Sequence, residues 1–246
     1  MTAATLAPDR RRAVLRQGVV VGVATGLYGI SFGALSVAAG LGFWQTMALS
    51  ALLFSGGSQF AFVGVVAAGG VGSAAVATAT LLGIRNGLYG LQMAGPLGVR
   101  GLRRLAAAQL TIDESTAVGI VQPEPALRRL GFWATGAAVF VCWNLMTAVG
   151  AVVGDALGDT RRFGLDAMAA AAFLALLWPR LRGAEPWAVA VVAAAVAILC
   201  VPALPPGLPV IAAAAVAVGV GVLRAGRAER ARLTESAERA TERTGA

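Results

Sequence analysis

Apolar segments follow one another almost without interruption, at roughly residues 18–40, 43–69, 71–97, 109–122, 131–154, 164–178, 186–202 and 206–223. A helix needs about 20 apolar residues to cross a bilayer core. Hydrophobic residues make up 58% of the chain and charged ones only 13%, against about a quarter charged in a soluble domain. An ordinary soluble enzyme, a disordered chain and a fibrous protein are therefore excluded. The pattern predicts an all-α polytopic membrane protein with about six to eight transmembrane segments. The segments at 109–122 and 164–178 are short and each opens near a carboxylate, so some segments are expected to be broken or re-entrant.

Charge sets the expected orientation. The 20 basic residues are all Arg, and the net charge is +8. Arg10, Arg11, Arg12 and Arg16 place the N-terminus in the cytoplasm by the positive-inside rule. From Arg128 and Arg129 onward, an alternating path keeps Arg180, Arg182 and the arginines after 223 inside as well. Both termini are thus expected to be cytoplasmic. The predicted organisation is a basic N-terminal tail over 1–16, a transmembrane domain over 17–223 and a charged, frayed cytoplasmic tail over 224–246. Arg100, Arg103 and Arg104 leave two options open. Eight crossings put them outside; six put them inside, with the fourth segment and one earlier segment re-entrant. The arginines flank apolar spans and do not interleave with aromatics, which argues against nucleic acid. The N-terminal stretch lacks the cleavage site of a secretory signal.

Few classes of chemistry remain. There is no His, which removes the commonest general base and most zinc sites. Neither a cofactor, a metal nor a catalytic set is predicted. Cys142 and Cys200 lie within apolar runs and read as small core residues.

Against this background the polar and small residues inside the spans stand out. Gly18, Gly22 and Gly26 recur every four residues and continue into Gly29 and Gly33. Small residues on one helix face allow close packing in lipid; an unwound stretch at 28–33, with Tyr28 beside a cavity, is the alternative. In the second segment, Ser55, Gly56, Gly57, Ser58 and Gln59 run together between Phe54 and Phe60. Irregular backbone at membrane depth is tolerated inside protein or beside a cavity, where free peptide groups can bind a zwitterion. The other reading is a polar packing knot. Arg85 lies deep in the third segment beside Asn86, with Tyr89 one turn on. An intramembrane cation is a candidate functional residue, and its partner is a carboxylate of either the substrate or the protein. Asp113, Glu114 and Asp166 open the short segments. They are helix caps, partners for Arg85, or sites for a coupling proton or an ammonium group. Trp143 lies mid-segment and reads as core; Trp44, Trp133, Trp178 and Trp187 fit interfacial belts.

Together these motifs resemble the AzlC-type family, the large subunit of bacterial branched-chain amino acid exporters, over about residues 15–223. Four places carry the resemblance. Phe32-Gly33-Ala34 is similar to the family's opening Phe-Gly helix, and Phe54 to Ala61 to its Phe-Ala-Gly-x-x-Gln-Phe core. Arg85 with Leu88-Tyr89-Gly90 resembles its Asn-x-Arg-His-x-x-Tyr-Gly motif. Leu110-Thr111 with Asp113-Glu114, and Gly164-Leu165-Asp166, resemble its Leu-Thr-Asp-Glu and Gly-Leu-Asp segments. The chain departs from the pattern at Gly83 (often Asn), Asn86 (often His) and Ala170 (often Pro), and Ile112 interrupts the Thr-Asp pair. The resemblance implies a secondary transporter in the bacterial inner membrane. It implies an amino acid as substrate and a small membrane subunit of the AzlD type as partner. Two other readings stay open: a non-transporting scaffold that docks a partner through the Gly18–Gly33 face and the charged tail, and an intramembrane hydrolase using Asp113 and Asp166.

Overall fold

The computed structural model describes residues 8–157, 174, 177–178, 181–205, 208–223 and 226. Among them there are helices and no strand. The helices are α1 (Pro8–Ala38), α2 (Phe43–Leu52), α3 (Gly56–Ala67), α4 (Gly72–Leu97), α5 (Leu102–Gln109), α6 (Asp113–Ile120), α7 (Pro125–Leu157), α8 (Ala184–Cys200) and α9 (Leu208–Leu223). Asp166, most of the sixth apolar segment and nearly all of the C-terminal tail lie outside the described residues. The chain forms two compact units, 1–176 and 177–246. Helix α1 begins at Pro8, so the arginines of the expected N-terminal tail are already helical.

The first unit is organised by the glycines of α1. Gly18, Gly22, Gly26, Gly29 and Gly33 are all buried. They meet Thr135, Ala138, Cys142, Trp143 and Thr147 of α7 in that order, so α1 and α7 run parallel. Contact is backbone to backbone: a methyl on Gly26 would stand 2.5 Å from Cys142 Cβ, and one on Gly33 would overlap the Thr147 carbonyl. From α7, Gly150 and Gly154 reciprocate against Ile30 and Ala34. Dispersion over so close an approach replaces the hydrophobic drive that lipid does not supply. The stretch 28–33 stays helical, so its glycines serve approach and not unwinding. The face considered for docking a partner is covered by the chain's own α7.

Against this pair of helices pack two helical hairpins that enter from opposite ends. In the first, α2 passes Thr147 at Ser50 and reaches Phe140 at Phe54, whose rings are 5.0 Å apart. The chain then breaks and returns as α3, antiparallel to α4, with Gly57 against Arg85 and Ser58 against Gly83. The second apolar segment is therefore two half-helices, and the break precedes its polar run. The second hairpin is α5–α6. It turns beside Gly136 and returns along α7, with Val118 at Gly131 and Gly119 at Arg128. The tips touch where the Gln109 amide donates to the Ala51 carbonyl at 2.7 Å.

The two ends of this unit differ in charge. Arg10 pairs with Glu124 at 2.7 Å, Arg128 donates to the Gln122 carbonyl, and Arg129 donates to the Pro96 carbonyl at 3.1 Å. These contacts bring the start of α1, the start of α7, the end of α4 and the α5–α6 hairpin to one end. Within residues 8–157, every arginine except Arg85 belongs to these stretches: Arg10, Arg11, Arg12, Arg16, Arg100, Arg103, Arg104, Arg128 and Arg129. Helix α4 closes there on Gly98, whose φ of 60° suits the left-handed cap and lets its N–H reach the Ala94 carbonyl.

Polarity is inside and apolarity outside. Ser58, Gln59, Ser115, Thr135 and Thr147 are fully buried, whereas Val20, Leu27, Leu88, Leu91, Leu145 and Val152 are exposed. Helices α1 and α7 are long and apolar enough to cross a membrane, and α3, α8 and α9 are shorter apolar helices. In the second unit, α8 and α9 are joined by a turn in which Leu204 N–H reaches the Cys200 carbonyl at 2.9 Å. Trp178 and Trp187 meet edge to face there, 6.0 Å apart.

The seam makes a graded test. Gly33→Ala is expected to cost about 3 kcal/mol through overpacking of backbone that cannot yield. Gly64→Ala and Gly87→Ala, whose new methyls meet nothing within 4 Å, should be neutral or mildly stabilising. Thermal unfolding of the purified full chain in detergent micelles measures both; equal midpoints for all three variants would contradict the seam.

Candidate functional site

Helices that stop at mid-bundle leave peptide groups without partners, and the sequence supplies side chains for them. The Gln59 amide, fully buried, donates to the Ser50 carbonyl at 3.0 Å and more weakly to that of Leu49 at 3.4 Å. With Gln109 on Ala51, the carbonyls of Leu49, Ser50 and Ala51 in the last turn of α2 all have side-chain partners. The start of α6 is held by Ser115, whose hydroxyl accepts the Ile112 N–H at 3.1 Å and donates to the Leu110 carbonyl at 2.6 Å. This turn places Asp113 at the first residue of α6.

Asp113 faces Arg85. Arg85 Nη1 and Asp113 Oδ2 are 2.6 Å apart, and about 30% and 27% of the two side chains are exposed. The pair is therefore reached from a cavity and not sealed in the core. Gly57 makes room for the guanidinium, since a methyl there would stand 2.9 Å from Arg85 Nη2. Gly56 does the same beneath the Trp143 ring, with 3.4 Å to its Cη2.

The cavity lies where the two hairpin tips meet and has a volume of about 150 Å³. Its wall has two characters. Thr25, Tyr28, Ser55, Arg85, Asn86, Asp113 and Glu114 supply polar and charged groups. Phe54, Phe60, Ile112, Val139 and Trp143 supply an apolar lobe. Within that lobe Phe60 stands edge-on to Trp143 at 6.3 Å, and Phe32 stacks on Trp143 at 6.0 Å. Arg85 Nε, Asn86 Oδ1 and Trp143 Nε1 are buried and have no hydrogen-bond partner among the described residues. A buried polar group left so costs about 1–3 kcal/mol, which a ligand with matching groups would recover. Thr25, Arg85 and Asp113 are the polar and charged neighbours of the Glu114 carboxyl.

The family model described as AzlC protein matches residues 20–157, more than half of the chain. The chain belongs to the AzlC family. The match runs from the glycine face of α1 to the end of α7, so it contains both hairpins and the whole cavity. It ends before Gly164-Leu165-Asp166, which the resemblance drawn from sequence had included. AzlC membership carries a coarse function with it: a membrane protein related to branched-chain amino acid export, in a family associated with transport rather than catalysis. No curated protein and no solved structure matches the chain significantly.

Of the residues singled out in the sequence, Tyr28, Ser55, Gly56, Gly57, Arg85, Asn86, Asp113 and Glu114 come together around the cavity. Ser58 and Gln59 do not line it. Ser58 receives the Ser55 hydroxyl at 3.2 Å and Gln59 caps α2, so the packing-knot reading describes these two. Tyr89 is not part of the wall, and Asp166 lies outside the described residues. Thr25, Phe54, Phe60, Ile112, Val139 and Trp143 join the wall without having been singled out as binding residues. Gln109 was missed as well; the signal was an amide side chain amid Ala106-Ala107-Ala108 and Leu110, where nothing polar is otherwise needed.

A partly buried pair predicts non-additive mutants. Arg85→Gln and Asp113→Asn each strand one charge, at an expected cost of about 2–3 kcal/mol. The double variant strands none and should recover most of the loss. Unfolding midpoints of the three variants check this; a double variant as unstable as both losses combined would refute direct pairing.

Proposed function

We propose that this AzlC-family chain is the large subunit of a proton-coupled secondary transporter that exports branched-chain amino acids, and methionine in addition, across the bacterial inner membrane with a small AzlD-type subunit. The observation that carries this reading is the two-sided cavity at the meeting point of the opposed hairpins. A zwitterion with a short apolar side chain has the same two sides. Arg85 Nε and Trp143 Nε1 offer donors to its carboxylate, Asn86 Oδ1 and Glu114 accept from its ammonium, and the Phe54–Phe60–Val139–Trp143 lobe takes the side chain. The volume of about 150 Å³ matches a benzene-sized guest and falls below the roughly 300–1,000 Å³ of drug-sized pockets. Asp113 neutralises Arg85, and Glu114 is the proposed proton carrier.

The positive-inside rule makes the arginine-rich end cytoplasmic. Helices α1, α4 and α7 then cross the membrane, α2–α3 re-enters from outside and α5–α6 from the cytoplasm. With the sixth segment, α8 and α9, this is the six-crossing arrangement, with Arg100, Arg103 and Arg104 inside. In the scaffold reading, the Gly18–Gly33 face is taken by α7, and the charged tail, nearly all of it outside the described residues, is the docking element left to it.

Cells preloaded with leucine and isoleucine, expressing the chain with its small subunit, should lose both faster than cells carrying an empty vector. The rate should differ between two external pH values, and Glu114→Gln should flatten that difference. Absence of efflux above the vector control sinks the transport reading, and an unchanged pH response in Glu114→Gln removes its assigned role. Trp143→Phe, by enlarging the apolar lobe, should raise phenylalanine efflux relative to leucine, measured as the ratio of initial rates.

A further inference from the structure

A second concavity, of about 820 Å³, opens at the arginine-rich end and is separate from the one above. It is lined by Leu97, Gly98, Val99, Arg100, Arg103, Ala106, Arg129 and Trp133. We propose that it is a binding site for one anionic phospholipid, with the phosphate on Arg100, Arg103 and Arg129 and the acyl chains along the apolar floor.

The charge is concentrated and unopposed. Among the described residues no carboxylate lines the groove and none of its three arginines forms an ion pair. Arg129 is oriented by its Nε–H on the Pro96 carbonyl at 3.1 Å, which directs its Nη groups toward Gly98 at the lip. Arg100 stands between Gly98 and Gly101, whose φ values of 60° and 58° carry the chain from α4 into α5. Arg103 then follows in the first turn of α5. The guanidinium groups of Arg100 and Arg103 and the Nη groups of Arg129 can offer planar donors to the oxygens of a phosphate.

The floor argues for a lipid over a soluble phosphate. Leu97, Val99, Ala106 and Trp133 give it an apolar half. Leu102 and Leu105, on either side of Arg103 in sequence, are 82% and 67% exposed. Such surface beside a cationic cluster suits the interface, where tryptophan also concentrates. Basic pockets between helices on the cytoplasmic side take anionic headgroups, each cation contributing about fivefold in affinity.

Native mass spectrometry of the purified full chain in non-ionic detergent, titrated with phosphatidylglycerol or phosphatidylcholine of equal acyl chains, tests this. One phosphatidylglycerol per chain should be retained in preference to phosphatidylcholine. The Arg100→Gln, Arg103→Gln, Arg129→Gln triple variant should weaken that retention on the order of a hundredfold. The control triple Arg11→Gln, Arg12→Gln, Arg16→Gln should keep it. Ala106→Trp leaves the charge unchanged but fills the floor, and should also lose the lipid. The proposal is overturned if the groove triple binds like wild type, or if the control triple loses as much. It also fails if inorganic phosphate at matching concentration displaces the lipid, which marks a soluble-anion site, or if the small subunit displaces it one for one, which marks a protein interface.

Discussion

Peptide groups that end in the middle of an apolar bundle must find partners there, and the architecture of this chain follows from how they do. Helix α2 stops halfway, and water is not at hand for its terminal carbonyls. Gln59 from the returning α3 covers two of them and Gln109 from the opposite hairpin covers a third. The second of these bonds also ties the two hairpins tip to tip. Capping and tertiary assembly are thus the same interaction. A polar side chain at this depth would be a liability in isolation; here it removes a larger one.

The parallel glycine seam is the rigid counterpart to these broken elements. Five glycines of α1 and two of α7 leave no side-chain layer between the helices. Interior volume that side chains would fill elsewhere is withheld along this line and released beside it, where Trp143, Phe60 and the Arg85–Asp113 pair stand. Arg85 has its carboxylate from α6, so its charge is balanced before any ligand arrives. The groups left without partners near it are neutral dipoles and one guanidinium edge, which suits a ligand that carries both signs and no net charge.

Much of this was legible in the sequence, for identifiable reasons. Glycines spaced by four announce a helix contact because the helical repeat fixes which residues share a face. A lone arginine amid apolar residues announces a partner because its burial is costly. The serine–glycine run announced a break, and the break lies at its edge. Less legible was the division of labour within that run. Gln59 bonds to the end of α2 and Ser58 to Ser55, whereas Gly56 and Gly57 yield space to Trp143 and Arg85, partners distant in sequence. Trp143 reads as core from its surroundings and is indeed buried, yet it also bounds the cavity. An aromatic residue's two faces cannot be told apart by pattern. The sequence leaves six and eight crossings open; what supports the six-crossing arrangement proposed above is Arg129 at the end of α4, a contact across 33 residues.

The opposed sense of the two hairpins has a kinematic consequence. Each is rooted at its own end of the bundle and reaches the cavity only with its tip. In the transport reading proposed above, withdrawing α2–α3 from the meeting point would unblock the cavity toward one end, and withdrawing α5–α6 toward the other. The fixed α1–α7 pair holds the floor in both cases. The amide bond between Gln109 and Ala51 joins the two tips, so either displacement would have to break it, and one hydrogen bond would be common to two doors that face opposite ways.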